Sequence, residues 1–374
     1  MKIAIVGCGF VADLYMQTLC SHPSLEVVVA MDIVPAHAER FNAYWKVPVC
    51  TSMAELLGRF SFDLVLNLTN PGSHYEVSRQ LLEAGKHVYS EKPLAMSYDQ
   101  CVDLLVVAAR NGVEVTSAPC NHLGEAAQAI AQAFRQGDPV GKLRLVYAEI
   151  DDGYVALSPY RAWKGVSGAP WPYVDEFQVG CTLEHAGYYL TWLIMLFGPI
   201  KEVWSFASLQ HPDKVEGLAS EAPDFSVACL RFTSGLVARL TCSILAPKDH
   251  RFRVVGEKGV LTAENCWFYL TPAWTQDWLT IRRRFMLSPF KRKLKLRETG
   301  PAMPRRGAAA MDFARGPAEM AAAIKEGRRS RVPADFALHF NEVSLAIHNA
   351  QEIDGVYKVQ STFEPLALVE NPIV

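Results

Sequence analysis

Short, mostly apolar runs recur through the first third of the chain, and stretches of helical spacing lie between them. Residues 2–6 (K-I-A-I-V), 27–31 (V-V-V-A-M), 63–69 (D-L-V-L-N-L-T), 86–89 and 113–117 predict strands buried on both faces. Residues 12–20, 74–84 and 98–111 predict the helices between them, with Gly85 and Gly112 as stops. Strands alternating with helices predict an α/β fold, a doubly wound parallel sheet of the Rossmann kind. In such a sheet ligands bind at the carboxyl ends of the strands.

After about residue 122 the pattern changes. A helical stretch, residues 125–136, leads into runs of alternating polarity at 143–150, 200–207, 226–233, 236–244, 251–255 and 260–262. Consecutive strands joined by short turns predict a large, mostly antiparallel open sheet. The expected organisation is therefore residues 1–122 as a dinucleotide-binding domain and 123–374 as an α+β domain for substrate and oligomerisation. A closing helix near 335–352 is expected to pack back on the first domain.

The first strand breaks into Gly7-Cys8-Gly9-Phe10-Val11-Ala12. Such a strand–glycine–helix turn wraps a dinucleotide pyrophosphate: Gly7 makes the turn, Gly9 admits the phosphates, and small Ala12 lets the helix pack close. The helix N-terminus then faces the phosphates with free N–H groups. Asp32 ends the second strand, where a carboxylate binds the ribose hydroxyls and repels a 2′-phosphate, so NAD is expected over NADP.

Composition narrows the class. At 374 residues, two domains are the expectation. A net charge of −2 gives no general attraction to nucleic acid, and no uncharged apolar run reaches membrane-spanning length. The chain starts on a strand of the fold rather than on a signal peptide. Nine scattered cysteines without a C-x-x-C pair point to reduced thiols in the cytoplasm, and away from a disulfide framework or a zinc site.

Ser90-Glu91-Lys92-Pro93 follows the strand at 86–89, at the expected cofactor edge. A lysine there can hold a substrate hydroxyl and stabilise an alkoxide as hydride leaves; a surface lysine in a turn is the alternative. The order G-C-G-F-V-A, Asp32, Thr69-Asn70-Pro71 with His74, and Glu91-Lys92-Pro93 before a β-rich second domain resembles the Gfo/Idh/MocA oxidoreductases over nearly the whole chain. Asp312-Phe313-Ala314-Arg315-Gly316 and His339-Phe340-Asn341-Glu342-Val343 resemble that family's later segments. The resemblance implies that Lys92 contacts the reacting hydroxyl and that Glu91 lies near the nicotinamide. It also implies that Thr69, Asn70, Pro71, His74 and Asn121 line the cofactor, and that the chain forms a homodimer or homotetramer.

The family's D-x-x-x-H helix motif is represented here by Glu184 and Tyr188, an E-x-x-x-Y. Spacing of i, i+4 puts both on one helix face. A lysine ammonium beside Tyr188 would lower its pKa and suit it to proton transfer. Packing of Tyr188 and Tyr189 in a core is the other reading. His185 titrates near neutrality but points about 100° away from Glu184 on an ideal helix, so it is the second choice. His122, Arg161 and Trp163 are candidate substrate contacts, although a structured loop explains the last two equally well.

Residues 282–306 hold ten Lys or Arg against a single acid, leaving 27 basic and 38 acidic residues elsewhere. A solvated loop is the favoured reading, with phosphates, an anionic surface or a neighbouring subunit as the alternatives. The expected activity is NAD-dependent hydride transfer at a secondary alcohol or ketone of a sugar, cyclitol or nucleotide sugar. Lys92 would polarise the reacting oxygen, Tyr188 would move the proton, and Glu184 would orient them. The rivals are a glycosidase-like enzyme with transient oxidation and a catalytically inactive NAD-binding regulator.

Overall fold

The computed structural model describes residues 1–215, 221–303 and 310–374. The first layer alternates strand and helix: β1 (Lys2–Val6), α1 (Phe10–Leu19), β2 (Glu26–Met31), α2 (Pro35–Trp45), β3 (Val49–Cys50), α3 (Met53–Arg59), β4 (Leu64–Asn67), α4 (His74–Glu83), β5 (His87–Ser90), α5 (Tyr98–Asn111) and β6 (Val115–Ser117). The strands form a parallel sheet of six in the order β3-β2-β1-β4-β5-β6. The order reverses between β1 and β4, so the crevice opens at their carboxyl ends. Ile3, Ala4 and Ile5 of β1 are fully buried, with helices on both faces.

The second part continues through α6 (Glu125–Gln136), β7 (Leu143–Asp151), α7 (Tyr173–Val179), a π-helical turn (Thr182–Ala186), α8 (Gly187–Phe197), β8 (Ile200–Ser208), β9 (Phe225–Phe232), β10 (Val237–Ser243), β11 (Phe252–Gly256), β12 (Gly259–Ala263), β13 (Ala273–Ile281), β14 (Arg284–Leu287), β15 (Arg292–Lys293), α9 (Arg315–Glu326), α10 (Ala334–His348) and β16 (Tyr357–Lys358). Nine strands run β14-β13-β12-β11-β7-β10-β9-β8-β16, with β15 on β13. The β7–β10 pair is parallel and the others are antiparallel. The core lies between one sheet face and α8, where Trp192, Tyr189 and Phe252 are buried.

The two parts are sewn together by α10. Asn341 accepts from Leu94 N at 2.8 Å and donates to Ser117 Oγ at 3.0 Å, while the helix also packs on β8 and α8. Asp312 is a second rivet: His22, just after α1, meets it at 2.9 Å, and the buried Arg315 braces it from the second part at 3.1 Å. The basic segment is mostly exposed, as expected, but it is not all loop. Arg284–Leu287 and Arg292–Lys293 are strands that extend the sheet edge, because Trp278 stacks on Phe285 and Arg292 pairs with Asp277. Residues 304–306 of that segment lie outside the described residues.

Candidate active site

Two cavities meet above the carboxyl ends of the first sheet. The first, of about 380 Å³, is built on the glycine turn. Gly7 has φ +98°, and a Cβ there would stand 2.5 Å from the Leu68 carbonyl oxygen, so only glycine lets the turn pass under β4. Gly9 is the N-cap of α1, with no side chain capping the helix and nothing within 4 Å of where its Cβ would be. That leaves free N–H groups and open space where a pyrophosphate would dock. Asp32 sits at the other end, its oxygens fixed by Cys8 N and Val34 N, both at 2.9 Å. Arg40 of α2 donates to the Cys8 carbonyl at 3.0 Å and lines the same end with His37.

The cavity continues past Thr69, Asn70, Pro71 and His74 to Glu91 and Lys92. The buried His74 imidazole lies between the carbonyls of Thr69 (2.9 Å) and Pro93 (2.7 Å) and so clamps the two loops together. Burial pushes its pKa down. Glu91 is held by Tyr15, whose hydroxyl donates to it at 2.7 Å, and by the Lys92 N–H at 3.1 Å. These residues fit a dinucleotide: a bare helix end for phosphates, a carboxylate for ribose, and a polar segment at the reacting end.

The second cavity, of about 330 Å³, shares Phe10, Val11, Glu91, Lys92, Glu176 and Glu184 with the first. Its walls are aromatic, from Trp163, Trp171, Trp267, Phe177 and Phe313. At the seam Lys92 Nζ pairs with Glu184, whose side chain is 5% exposed. Burial works against the ammonium, but the carboxylates, Glu184 foremost, outweigh it and hold Lys92 protonated. Burial likewise works against the Glu184 carboxylate, and Lys92 overrides it, keeping that group below the ordinary range. Glu176 goes the other way: burial and then Glu184 push its carboxyl well up.

The helix geometry departs from expectation. Gly180, with φ +85°, turns α7 into the π-helical Thr182–Ala186, which runs on into α8. The wider turn changes the angle between successive side chains, so Glu184, His185 and Tyr188 all line the second cavity. His185 lies 3.3 Å from Asp152, which also meets His250 at 2.8 Å. Burial lowers the His185 pKa despite Asp152, leaving it neutral. The expected lowering of Tyr188 is reversed: burial raises it more than Lys92 lowers it, so the phenol stays protonated.

Three predicted contacts are elsewhere. Asn121 is buried behind α8, donating to the carbonyls of Tyr188 (2.8 Å) and Cys266 (3.2 Å) and accepting from Thr191. His122 turns away to the Arg331 carbonyl at 2.9 Å and packs on Phe336. The cause is the 3₁₀ turn Asn121–Leu123, which aims both side chains into the second part. Arg161 is exposed and lies over the rings of Tyr160 and Tyr173, at 5.6 and 5.3 Å, outside the cavity. Trp163, two residues on, does line it. Ala12 lies in the core under the helix rather than on the cavity wall, as its packing role requires.

Sequence reasoning missed Glu176, Trp171, Trp267 and Asp152. It also missed Asp13, which has no exposed surface. Its carboxylate accepts from Trp45 Nε1 at 2.7 Å and from the N–H and Oγ of Ser167, both at 2.9 Å. Ser167 belongs to the loop that carries Trp163 and Trp171, so helix α1, which starts at the glycine turn, holds a wall of the aromatic cavity directly. Among the described residues no group of three or more His, Cys, Asp or Glu side chains is arranged to hold a metal ion.

Residues 1–118 match the family model described as oxidoreductase family, NAD-binding Rossmann fold, and residues 128–262 match the GFO/IDH/MocA C-terminal domain. An uncharacterized oxidoreductase of Synechocystis is 25% identical over 280 residues, 71% of this chain and 72% of that one. Mouse trans-1,2-dihydrobenzene-1,2-diol dehydrogenase is 23% identical over 276 residues, 71% of this chain and 75% of that one. The WlbA dehydrogenase of Bordetella pertussis, solved with NADH and UDP-GlcNAcA, superposes with TM-score 0.72 at 18% identity, covering 96% of this chain and 98% of that one.

Proposed function

Because the chain belongs to the Gfo/Idh/MocA family of NAD(P)-dependent oxidoreductases, we propose that it moves hydride between NAD and a secondary alcohol or ketone of a sugar or cyclitol. One observation carries this reading: the Lys92–Glu184 pair stands where the dinucleotide-shaped cavity and the aromatic-walled cavity join. A bound nicotinamide there would give or take the hydride. Lys92 would hold the reacting oxygen and offset its developing charge, with Glu184 fixing the ammonium in place. Tyr188, protonated and in the same cavity, would donate a hydrogen bond to that oxygen.

Asp32, fixed by two backbone donors, favours NAD over NADP on this reading. The aromatic faces of Trp163, Trp171 and Trp267 suit the apolar face of a sugar ring. The carboxylates of Glu91, Asp152 and Glu184 face the cavity against Lys248 and a Lys92 that is already paired. That balance argues for an uncharged sugar or cyclitol over a nucleotide diphosphate sugar. Nine free cysteines suit the cytoplasm. No helix among the described residues is long and apolar enough to cross a membrane. The exposed Trp204 and Phe206 on β8 mark where a second copy would pack.

The test is NADH formation from NAD with a panel of free sugars, cyclitols and nucleotide sugars, using the wild type and Lys92→Met together. The expected result is turnover of an uncharged member of the panel that the variant abolishes while it still binds NAD. Turnover retained by Lys92→Met would refute the role given to Lys92.

A further inference from the structure

The reaction on this reading needs a proton as well as a hydride, and neither Lys92 nor Tyr188 can be its final source or sink. Both are protonated at rest. In the oxidising direction neither has a free site for the proton of the substrate hydroxyl. In the reducing direction a proton lost from Lys92 must be replaced from within the site.

Behind Lys92 stands a second carboxyl group that no motif singled out. Glu176, on α7, lines both cavities, as do Lys92 and Glu184. It shares a side-chain hydrogen bond with Glu184, and Glu184 in turn pairs with Lys92. Two carboxyl groups that share a hydrogen bond in a buried site cannot both be ionised. Lys92 supplies one positive charge, which balances one carboxylate. The other carboxyl must then be neutral, and Glu176, the one that Lys92 does not pair with, is the proton holder. The charged and titratable groups facing it are Glu184, Lys92 and Glu91, with Asp175 beside it on α7 and Tyr188 on α8.

We propose that Glu176 is the proton store of the reaction, exchanging its proton with the substrate oxygen through Glu184 and Lys92. The inference rests on the oxidoreductase reading above. In the reducing direction the carbonyl carbon gains a hydride from the reduced nicotinamide, and the carbonyl oxygen gains a proton from Lys92 Nζ. The proton shared by Glu184 and Glu176 restores the ammonium, and the pair recovers one proton from water. In the oxidising direction each step reverses, and one proton leaves for solvent.

Glu176→Gln tests this, because the amide keeps the shape and still donates to Glu184. The expected result is a fall in kcat of about 100-fold, the lower end of what a positioned proton carrier contributes. KM and NAD affinity should change by less than about threefold, since neither ligand loses a charge partner. The wild type should also lose reducing activity as pH rises through the ionisation of the pair, and the variant should lack that limb. Glu176→Asp should recover much of the rate. Wild-type kcat with an unchanged pH profile in Glu176→Gln would overturn the proposal.

A second measurement needs no substrate. Infrared difference spectra of the resting enzyme at neutral pH, wild type against Glu176→Gln, should show a protonated-carboxyl band lost in the variant. Absence of that band overturns the proposal even where the variant is inactive for other reasons. If the wild type turns over nothing in the panel, the oxidoreductase reading fails, whereas the infrared result still reports on Glu176 alone.

Discussion

Replacing Lys92 by methionine removes the charge that Glu184 depends on, and the cost can be worked from the site. Glu184 is 5% exposed, and Lys92 is its ion-pair partner. Left alone and charged, such a group destabilises a fold by about 3–5 kcal/mol. The site has a cheaper course, which is to bind a proton. Neutralising a carboxyl whose unfolded pKa is about 4.3 costs about 1.36 kcal/mol per pH unit above that value, or about 4 kcal/mol at pH 7. In the variant the folded pKa lies above the unfolded one. The folded chain therefore binds the extra proton, and stability falls as pH rises from about 4.3 towards the folded value. The deficit relative to wild type should be at most about 4 kcal/mol near pH 7 and about 2 kcal/mol near pH 5.5. Paired urea melts at the two pH values measure it, and adding Glu184→Gln to the variant should erase the pH dependence. A deficit independent of pH, or its persistence in the double variant, would refute the picture of a buried carboxylate held ionised by Lys92.

Three further outcomes are expected. Tyr188→Phe should lower kcat about 10- to 100-fold, by loss of one donor to the reacting oxygen. Its pH–rate profile should keep its shape, because burial holds the phenol protonated throughout the assay range. Asp32→Ser should weaken NAD by at least about tenfold and raise the NADP to NAD affinity ratio, read by quenching of protein fluorescence, since a 2′-phosphate would no longer meet a carboxylate. Gly7→Ala should cost about 1–3 kcal/mol in thermal melts and abolish dinucleotide binding, because a Cβ would sit 2.5 Å from the Leu68 carbonyl oxygen at φ +98°.

The first sheet and its cofactor crevice were legible because their signals are local. Gly7, Gly9 and Asp32 act within one β-α-β unit, and the strand order follows from alternating elements. Lys92 was legible from its place after a strand. The second cavity was only half legible. An ideal α-helix was assumed at Glu184, and the π turn after Gly180 brings His185 to the same wall as Glu184 and Tyr188. Asn121 and His122 were misplaced because a three-residue 3₁₀ turn decides where they point, and no periodicity reports it. Glu176 lies on another helix from Glu184, and only the tight turn at Gly180 folds one carboxyl back on the other. Trp267 comes from a loop far along the chain, and nothing near it in sequence announces a cavity wall.

The grip of Asp13 on Ser167 carries an implication for how two ligands communicate. One end of α1 faces the pyrophosphate site, and one turn further on the same helix fixes the loop that presents Trp163 and Trp171. On the proposed reading, a dinucleotide that steadied α1 would steady that loop, so a sugar arriving second would lose less freedom on docking. Free-energy linkage then runs both ways: whatever factor the nucleotide adds to sugar affinity, the sugar adds to nucleotide affinity. Cutting the tether with Asp13→Asn would leave each affinity measured alone nearly intact and collapse the cooperativity between them.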